Sequence, residues 1–569
     1  MMSAMVSCRP SHPDAEKWAE RALALSKDCG DPASQLQTIT FASYFYGWRG
    51  DFKRSVHLAD EIRMPAGPAD VSPLFKIAWL MLGAVNNLFV TPSPAKALED
   101  ISAARALADS TGVHVWDHMT PVIGSCAALI NGDFRKADEF LNDKTALHAQ
   151  PRISLSHFLF VSGYREFLAG NLVQASAHAE AALKYAREAG YPYATALCHY
   201  ESAQVKHVLG QFKEAQEHIR SAQELSAGSE IFKFMCLLAR AQFAFDRGEN
   251  NFALDFLREG FRIGRQQNYL GFIWWWDPPV MALLCARALE AAIEPDYARE
   301  LVRKRGLIEY AAPVEVESWP WPVKIHTLGE FRIIRDGRPM DFSGKAQQKP
   351  LTLLKMLIAL GHRDIPEEKI TDLLWPDAEG DLAHKSYEIT CLRLRRIIGE
   401  KAVRISGGKA SLDEKYCWTD LKAITHVMDQ AENEWKKAGK EQKPSGKAIG
   451  LTEKAIGLHR GDFLPPDAEQ AWAMTVREQI KNRLLRLLIT AGKYLMRTGQ
   501  WETATQKFEK GLEMDNLVEE IYQDLMLCQI SLGRHAEAAR TYERCRRALS
   551  ETLGIKPSPA TDNIYRSIF

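Results

Sequence analysis

One recurring turn constrains this chain more than any other feature. "GDFKRSV" at 50, "GDFRKA" at 132, "GNLVQA" at 170, "GQFKEA" at 210 and "GENNFA" at 248 place their glycines 82, 38, 40 and 38 residues apart. The first interval is close to two repeats, so a further member is expected near "TPSPAKA" at 91–97. Each unit reads as helix, glycine turn, helix, with no strand signal. The glycine suits the turn's backbone, the aromatic or aliphatic residue after it is expected to pack beneath the turn, and the small residue that follows lets the next helix approach closely. Such a unit cannot bury its own apolar face, so units must stack. Residues 1–318 therefore read as a helical solenoid.

The pattern stops at "ESWPWPVKIH", where Pro320 and Pro322 can continue neither a helix nor a ladder. A different period follows. Val323, Ile325, Phe331 and Ile333 alternate around Asp336-Gly337, a hairpin signal, and predict a small antiparallel sheet. Three helical segments begin at 349, 366 and 381, and strand character resumes around Gly407-Gly408. Sheet, three helices and hairpin, in that order, make a winged helix-turn-helix over residues 319–420 with an extra N-terminal sheet. From 421 to 569 the chain is helical again, broken at "AGKEQKPSGK" (438–447), with "GQWETA" at 499 and "GRHAEA" at 533 repeating the turn at a 34-residue interval. That is the tetratricopeptide length. The expected fold is mostly α: a tetratricopeptide-like solenoid, a winged helix with small antiparallel sheets, and a second tetratricopeptide-like domain.

Catalysis finds no residues. The sixteen histidines form no HExxH or triad grouping, and no GxSxG elbow is present. Gly344-Lys345 and Gly446-Lys447 lack the upstream glycine and the following Ser or Thr of a phosphate loop. The ten cysteines show no CxxC pair and no zinc spacing, which fits a reducing compartment. The longest apolar stretch, "IAWLMLGAV" at 77–85, falls short of the roughly 20 residues a membrane span needs. The sequence thus reads as a cytoplasmic protein with no enzyme activity, cofactor, metal or membrane partner.

With 72 basic and 72 acidic side chains, whole-chain charge names no partner. Local charge does. Between Leu382 and Ala410 stand seven basic residues and two acidic ones, a balance of +5. Within "DLAHKSYEITCLRLRRIIG" the positions Tyr387, Cys391, Leu394 and Ile398 recur at helical spacing and mark the core side. The outward set is then Lys385, Ser386, Glu388, Ile389, Thr390, Arg393, and Arg396 or Ile397. A helix of this kind fits the major groove of DNA, where arginine grips guanine O6 and N7 and threonine offers a hydroxyl or methyl. Thr390 and Arg393 are the candidates for base edges.

The segments "LGEFRIIRDGRPM", "LLKMLIAL", "LLWPD" and "LRLRRIIG" resemble the winged helix of OmpR/PhoB-type response regulators. "LHRGDFLP", "WAMTVREQI" and "DNLVEEIYQDLMLCQISLGRHAEAARTYERCRRALSETLGIKPSP" resemble the bacterial transcriptional activator domain of SARP-type antibiotic regulatory proteins. The solenoid is similar to the tetratricopeptide-like sensor repeats of large bacterial signal-transducing regulators. This resemblance implies phosphate or minor-groove contacts by His384, Lys385, Arg396, Arg404 and Lys409. It also implies a bracing role for Arg395 and contact with RNA polymerase through the turn from Pro376 to Gly380. Two departures stand out: a long solenoid precedes the winged helix, and no ATPase loop is found. The chain reads as a compact member or as the C-terminal part of a longer one.

The expected function is a DNA-binding transcriptional activator. Double-stranded DNA and RNA polymerase would be its partners, with a homodimer on DNA and an unidentified protein or small-molecule signal at the repeats. The alternative is a repeat-built scaffold whose winged helix binds protein. "FIWWWDPP" at 272–279 reads either as packing and end-capping residues or as an aromatic ligand pocket.

Overall fold

The structure, a computed structural model, describes residues 11–29, 31–61, 72–89, 93–142, 151–272, 274–311, 313–342, 347–441 and 446–568. Gly344-Lys345 and part of the break at 438–447 lie outside them. The fold is mostly α. It divides into two compact units, residues 1–311 and 312–569.

Among the described residues the first unit begins with helix Ala15–Asp28 and continues as seven helical hairpins. Their first helices are Pro32–Arg49, Pro73–Phe89, Thr120–Ile130, Arg152–Leu168, Pro192–Val208, Glu230–Asp246 and Pro278–Glu290. The turn glycines 50, 132, 170, 210 and 248 all hold a left-handed backbone, φ 74° to 89°. The extra repeat expected near 91–97 is present as the hairpin between Pro73–Phe89 and Pro94–Thr111, although residues 90–92 of its turn lie outside the described set. The small residues behave as expected: Ser55, Ala137, Ala175, Ala215 and Ala253 are all fully buried.

The aromatic residue after the turn does not. Phe52 is buried, but Phe134, Phe212 and Phe252 are exposed. Each lies in the first turn of the second helix of its hairpin, on the outer side; Phe212, for example, lies against the His207 ring, 5.3 Å between centroids.

A second departure concerns curvature. Repeats in an open solenoid touch only their neighbours, whereas here the first hairpin meets the sixth. Ser229 Oγ donates to the Trp48 carbonyl at 2.7 Å, and Tyr269 OH donates to the Gly50 carbonyl at 2.7 Å. Gly50 is doubly required, because a Cβ there would strike the Tyr269 hydroxyl and the Ile231 backbone nitrogen. Trp274, Trp275 and Trp276 are all buried; Arg305 covers the Trp276 ring at 4.1 Å, and Asp277 caps the next helix by accepting from Val280 N at 3.3 Å.

Among its described residues the second unit carries seven short strands: β1 (Val323–His326), β2 (Arg332–Arg335), β3 (Arg338–Pro339), β4 (Ile365–Pro366), β5 (Val403–Ser406), β6 (Lys409–Leu412) and β7 (Cys417–Thr419). Its helices are α1 (Gln348–Ala359), α2 (Glu367–Leu374), α3 (Gly380–Ile398), α4 (Asp420–Glu441), α5 (Gly446–Leu458), α6 (Ala471–Arg497), α7 (Trp501–Met514), α8 (Glu519–Ser531), α9 (His535–Leu553) and α10 (Pro559–Arg566). One sheet has the order β3-β2-β1-β7, antiparallel except that β7 runs parallel to β1, with Val323 beside Cys417. The other, β4-β6-β5, is antiparallel throughout and forms the wing. Both hairpin turns carry two left-handed residues, Asp336-Gly337 (φ 50° and 79°) and Gly407-Gly408 (φ 58° and 67°). That is the turn whose twist matches the strands it joins.

Trp319 and Trp321, expected to mark a boundary, are buried within this unit, and Trp321 Nε1 donates to the Val316 carbonyl at 3.0 Å. A single apolar core joins β1, α1 and α3 to α4 and α6 through Ile325, Leu357, Leu394, Met428 and Leu484. The segment after α5 straps onto the first sheet: Gly329 N donates to Asp462 O and Leu464 N to Thr327 O, both at 2.8 Å. A separate core around Phe508, Leu525 and Cys545 holds α7 to α9 together.

Candidate nucleic-acid interface

Helix α3 is positioned by its apolar stripe. Ala383, Tyr387, Cys391, Leu394 and Ile398 are buried against the core of the second unit, as their three-to-four-residue spacing requires. Its end is fixed from outside. Gly399 N donates to the Arg395 carbonyl at 2.7 Å, and the Arg335 guanidinium of β2 donates to the carbonyls of Arg396 (3.2 Å) and Ile397 (2.9 Å). Those carbonyls have no partner within the helix, and a cation there also complements the negative end of the helix dipole. Arg395 Nε donates to the Val403 carbonyl at 3.1 Å, tying the helix to strand β5 of the wing. The backbone of the wing is thus held to the helix by an arginine of the very cluster that drew attention in the sequence.

The opposite face of α3 is exposed at Leu382, Lys385, Ile389, Leu392, Arg393 and Arg396. Among the described residues no side chain pairs with Lys385, Arg393 or Arg396, nor with Lys409 at the start of β6 beside the wing turn. Elsewhere in the unit carboxylates neutralise cations such as Lys355, paired with Asp467, and Arg483, paired with Glu432; none does so for these four among the described residues. Ile389 and Leu392 are 51% and 54% exposed, so aliphatic surface lies between the charges.

Two other predicted residues are engaged. Nδ1 of His384 pairs with Glu367 of α2 and Nε2 lies 3.6 Å from Glu388; the Glu367 carboxylate above all raises the imidazole pKa above its ordinary value, so the ring keeps its proton to higher pH. Arg404 of β5 pairs with Asp413. Both remain exposed, so their cationic ends stay at the surface although each has a carboxylate partner.

Thr390 requires a correction. It was expected to face outward, yet it is only 5% exposed, and its Oγ1 donates to the Ser386 carbonyl at 2.6 Å. Threonine can be buried on a helix because that bond satisfies its hydroxyl without help from another element. Position 390 sits one step from Cys391, near the edge of the core stripe, and there the choice between faces depends on this bond. Leu392 was missed for the converse reason: its apolar character hides that 382, 385, 389, 392 and 396 form one outer row. Arg335 was missed because its contact is 61 residues distant in the chain.

Residues 425–569 match the bacterial transcriptional activator domain. The chain is 27% identical over 247 residues to regulatory protein AfsR of Streptomyces griseus and 26% identical over 247 residues to that of Streptomyces coelicolor. Each match covers 43% of this chain and 24% of the relative, so the similarity spans about a quarter of the length of these proteins. A solved structure of Mycobacterium tuberculosis EmbR, in complex with a low affinity phosphopeptide, aligns with 43% of this chain and 65% of its own, at 18% identity and a TM-score of 0.35. Over these stretches the chain is similar to bacterial regulatory proteins.

Proposed function

We propose that the protein is a sequence-specific, DNA-binding transcriptional activator of the bacterial cytoplasm. In this reading residues 319–420 bind double-stranded DNA, residues 421–569 brace the complex, promote a homodimer on DNA and recruit RNA polymerase, and residues 1–318 receive the controlling signal. The observation that carries it is the exposed face of α3, where Lys385, Arg393 and Arg396 stand without side-chain partners among the described residues, beside the wing. Arg393, near the middle of that face, is the residue for bidentate guanine contact. Ile389 and Leu392 suit thymine methyl groups, a role that buried Thr390 does not share. Lys385, Arg396, Lys409, His384 and Arg404 serve phosphates, setting register without reading bases.

Arg393→Ala is expected to lower specific affinity by about 1–3 kcal/mol and to relax one position of the site, whereas Lys409→Ala weakens all sequences alike. Competition binding with single-base variants of a selected duplex measures both. Full sequence discrimination retained by Arg393→Ala removes that residue from base readout.

One observation favours a second reading. Leu382, Ile389 and Leu392 are more than half exposed on the same face, and an aliphatic row at this spacing also suits a protein groove. A steep fall of affinity for DNA with salt, the signature of released counterions, decides for DNA.

A further inference from the structure

The coiling of the first unit encloses something that the reading above does not use. A cavity of about 250 Å³ lies where the first helices of the first six hairpins converge, its walls running from Phe41 to Trp274. Val85 and Ile153 line it while only half-buried, so it opens toward the surface and a ligand can enter. It is slightly smaller than the ~300–1,000 Å³ of sites for drug-sized ligands, which sets the scale of an occupant.

The chemistry of the wall narrows the class. Two aromatic pairs stand nearly parallel in it: Trp48 with Trp274, 6.0 Å apart at 7°, and Tyr44 with Trp116, 6.2 Å apart at 10°. No Asp, Glu, Lys or Arg lines the cavity among the described residues. Its two histidines, His118 and His157, are held toward the neutral form by burial, His157 down to about 4. Three lining side chains carry polar atoms without a partner among the described residues: Ser43 Oγ, His157 Nε2 and Tyr193 OH. Buried polar atoms of this kind are ordinarily satisfied. A charged ligand would meet no counter-charge here, and a purely hydrocarbon one would leave these atoms unmatched.

We propose that this cavity is a binding site for a small, neutral, planar and largely apolar molecule carrying a hydrogen-bonding group. The ligand lies against the faces of Trp48 and Tyr44, and its polar group reaches Ser43, His157 or Tyr193. Trp274 of the "FIWWWDPP" segment lines this site, while Trp275 and Trp276 pack outside it. The site stands whether or not the second unit binds DNA, because its test reads ligand binding alone.

The test uses the full chain and N-phenyl-1-naphthylamine, a neutral planar fluorescent probe. Saturable binding with one probe per chain is expected by fluorescence titration and by native mass spectrometry. Val85→Phe and Ile153→Phe fill the cavity from two different helices, at positions that line it while only half-buried. Each should weaken the probe at least tenfold with helical circular dichroism unchanged. As competitors, 2-naphthol should displace the probe at lower concentration than dodecanol. Absence of saturable binding, several probes per chain, or undiminished affinity in both variants overturns the site; the reverse competitor order overturns the planar class. Should a variant lose its helical signal, the stoichiometry of the unmutated protein decides.

Discussion

Replacing Asp420 by alanine is expected to destabilise the second unit markedly, at about 1–3 kcal/mol for each buried donor left without an acceptor. Asp420 is 2% exposed and stands at the start of α4. Its carboxylate accepts from Thr327 N at 2.7 and 2.9 Å, Thr327 Oγ1 at 2.6 Å, Leu328 N at 2.9 Å and its neighbour Leu421 N at 2.8 Å. Alanine leaves the end of β1 with buried donors and nothing to accept from them. The effect should be local to the second unit. Hydrogen exchange read by mass spectrometry should show protection lost in peptides covering 323–329 and 420–428, with the first unit's helices unchanged. Protection within experimental error of the unmutated protein would show that the network contributes little.

The second large effect is a pH dependence in the first unit. Glu201, on helix Pro192–Val208, is fully buried, and neither carboxylate oxygen has a partner among the described residues. Burial raises its pKa well above the ordinary 4.5, so the folded chain keeps the proton. The unfolded chain releases it above about 4.5, hence the unfolded state binds fewer protons and stability falls as pH rises, until the folded value is reached. Glu201→Gln keeps the shape and removes the titration. The variant should match the unmutated protein near pH 4 and gain on it by up to ~1.4 kcal/mol per pH unit from 4.5 up to the folded value. His157 and His199, both depressed to about 4 chiefly by burial, act in the opposite sense, losing stability as pH falls below 6.5. They are common to both proteins and cancel in the comparison. Urea denaturation at pH 4, 5.5 and 7 provides the test, and parallel pH profiles would contradict the assignment.

Legibility in the sequence followed the range of the interaction. Turn glycines at 50, 132, 170, 210 and 248 could be read because a left-handed backbone is a local demand that few other residues meet. Asp336-Gly337 and Gly407-Gly408 were legible for the same reason. The core side of α3 was legible from Tyr387, Cys391, Leu394 and Ile398, whose spacing is itself the amphipathic pattern. Its outer side was less so. Thr390 turned inward by bonding its own helix, and Leu392 turned outward despite being apolar.

Contacts that close the fold left no local trace. The coiling that brings Ser229 to Trp48 joins residues 181 apart, and Asp420 reaches Thr327 across 93. Curvature of a repeat array is the sum of small rotations at each interface, and no single repeat encodes it. The cavity in the first unit, which that coiling creates, was accordingly foreseen only as a choice of roles for three tryptophans. Its wall draws Trp274 from one loop, Trp116, His118 and Met119 from another, and most of the rest from helices far apart in the chain.

The most direct test of the DNA-binding reading is selection of randomised duplex DNA by the full chain, with affinity for the recovered sequence followed across a salt series. One enriched motif is expected, together with affinity that falls steeply and linearly on logarithmic axes as salt rises, and blurring of that motif by Arg393→Ala. Recovery of no motif, with weak and salt-insensitive DNA binding, would contradict it and turn the exposed face of α3 into a protein-binding surface.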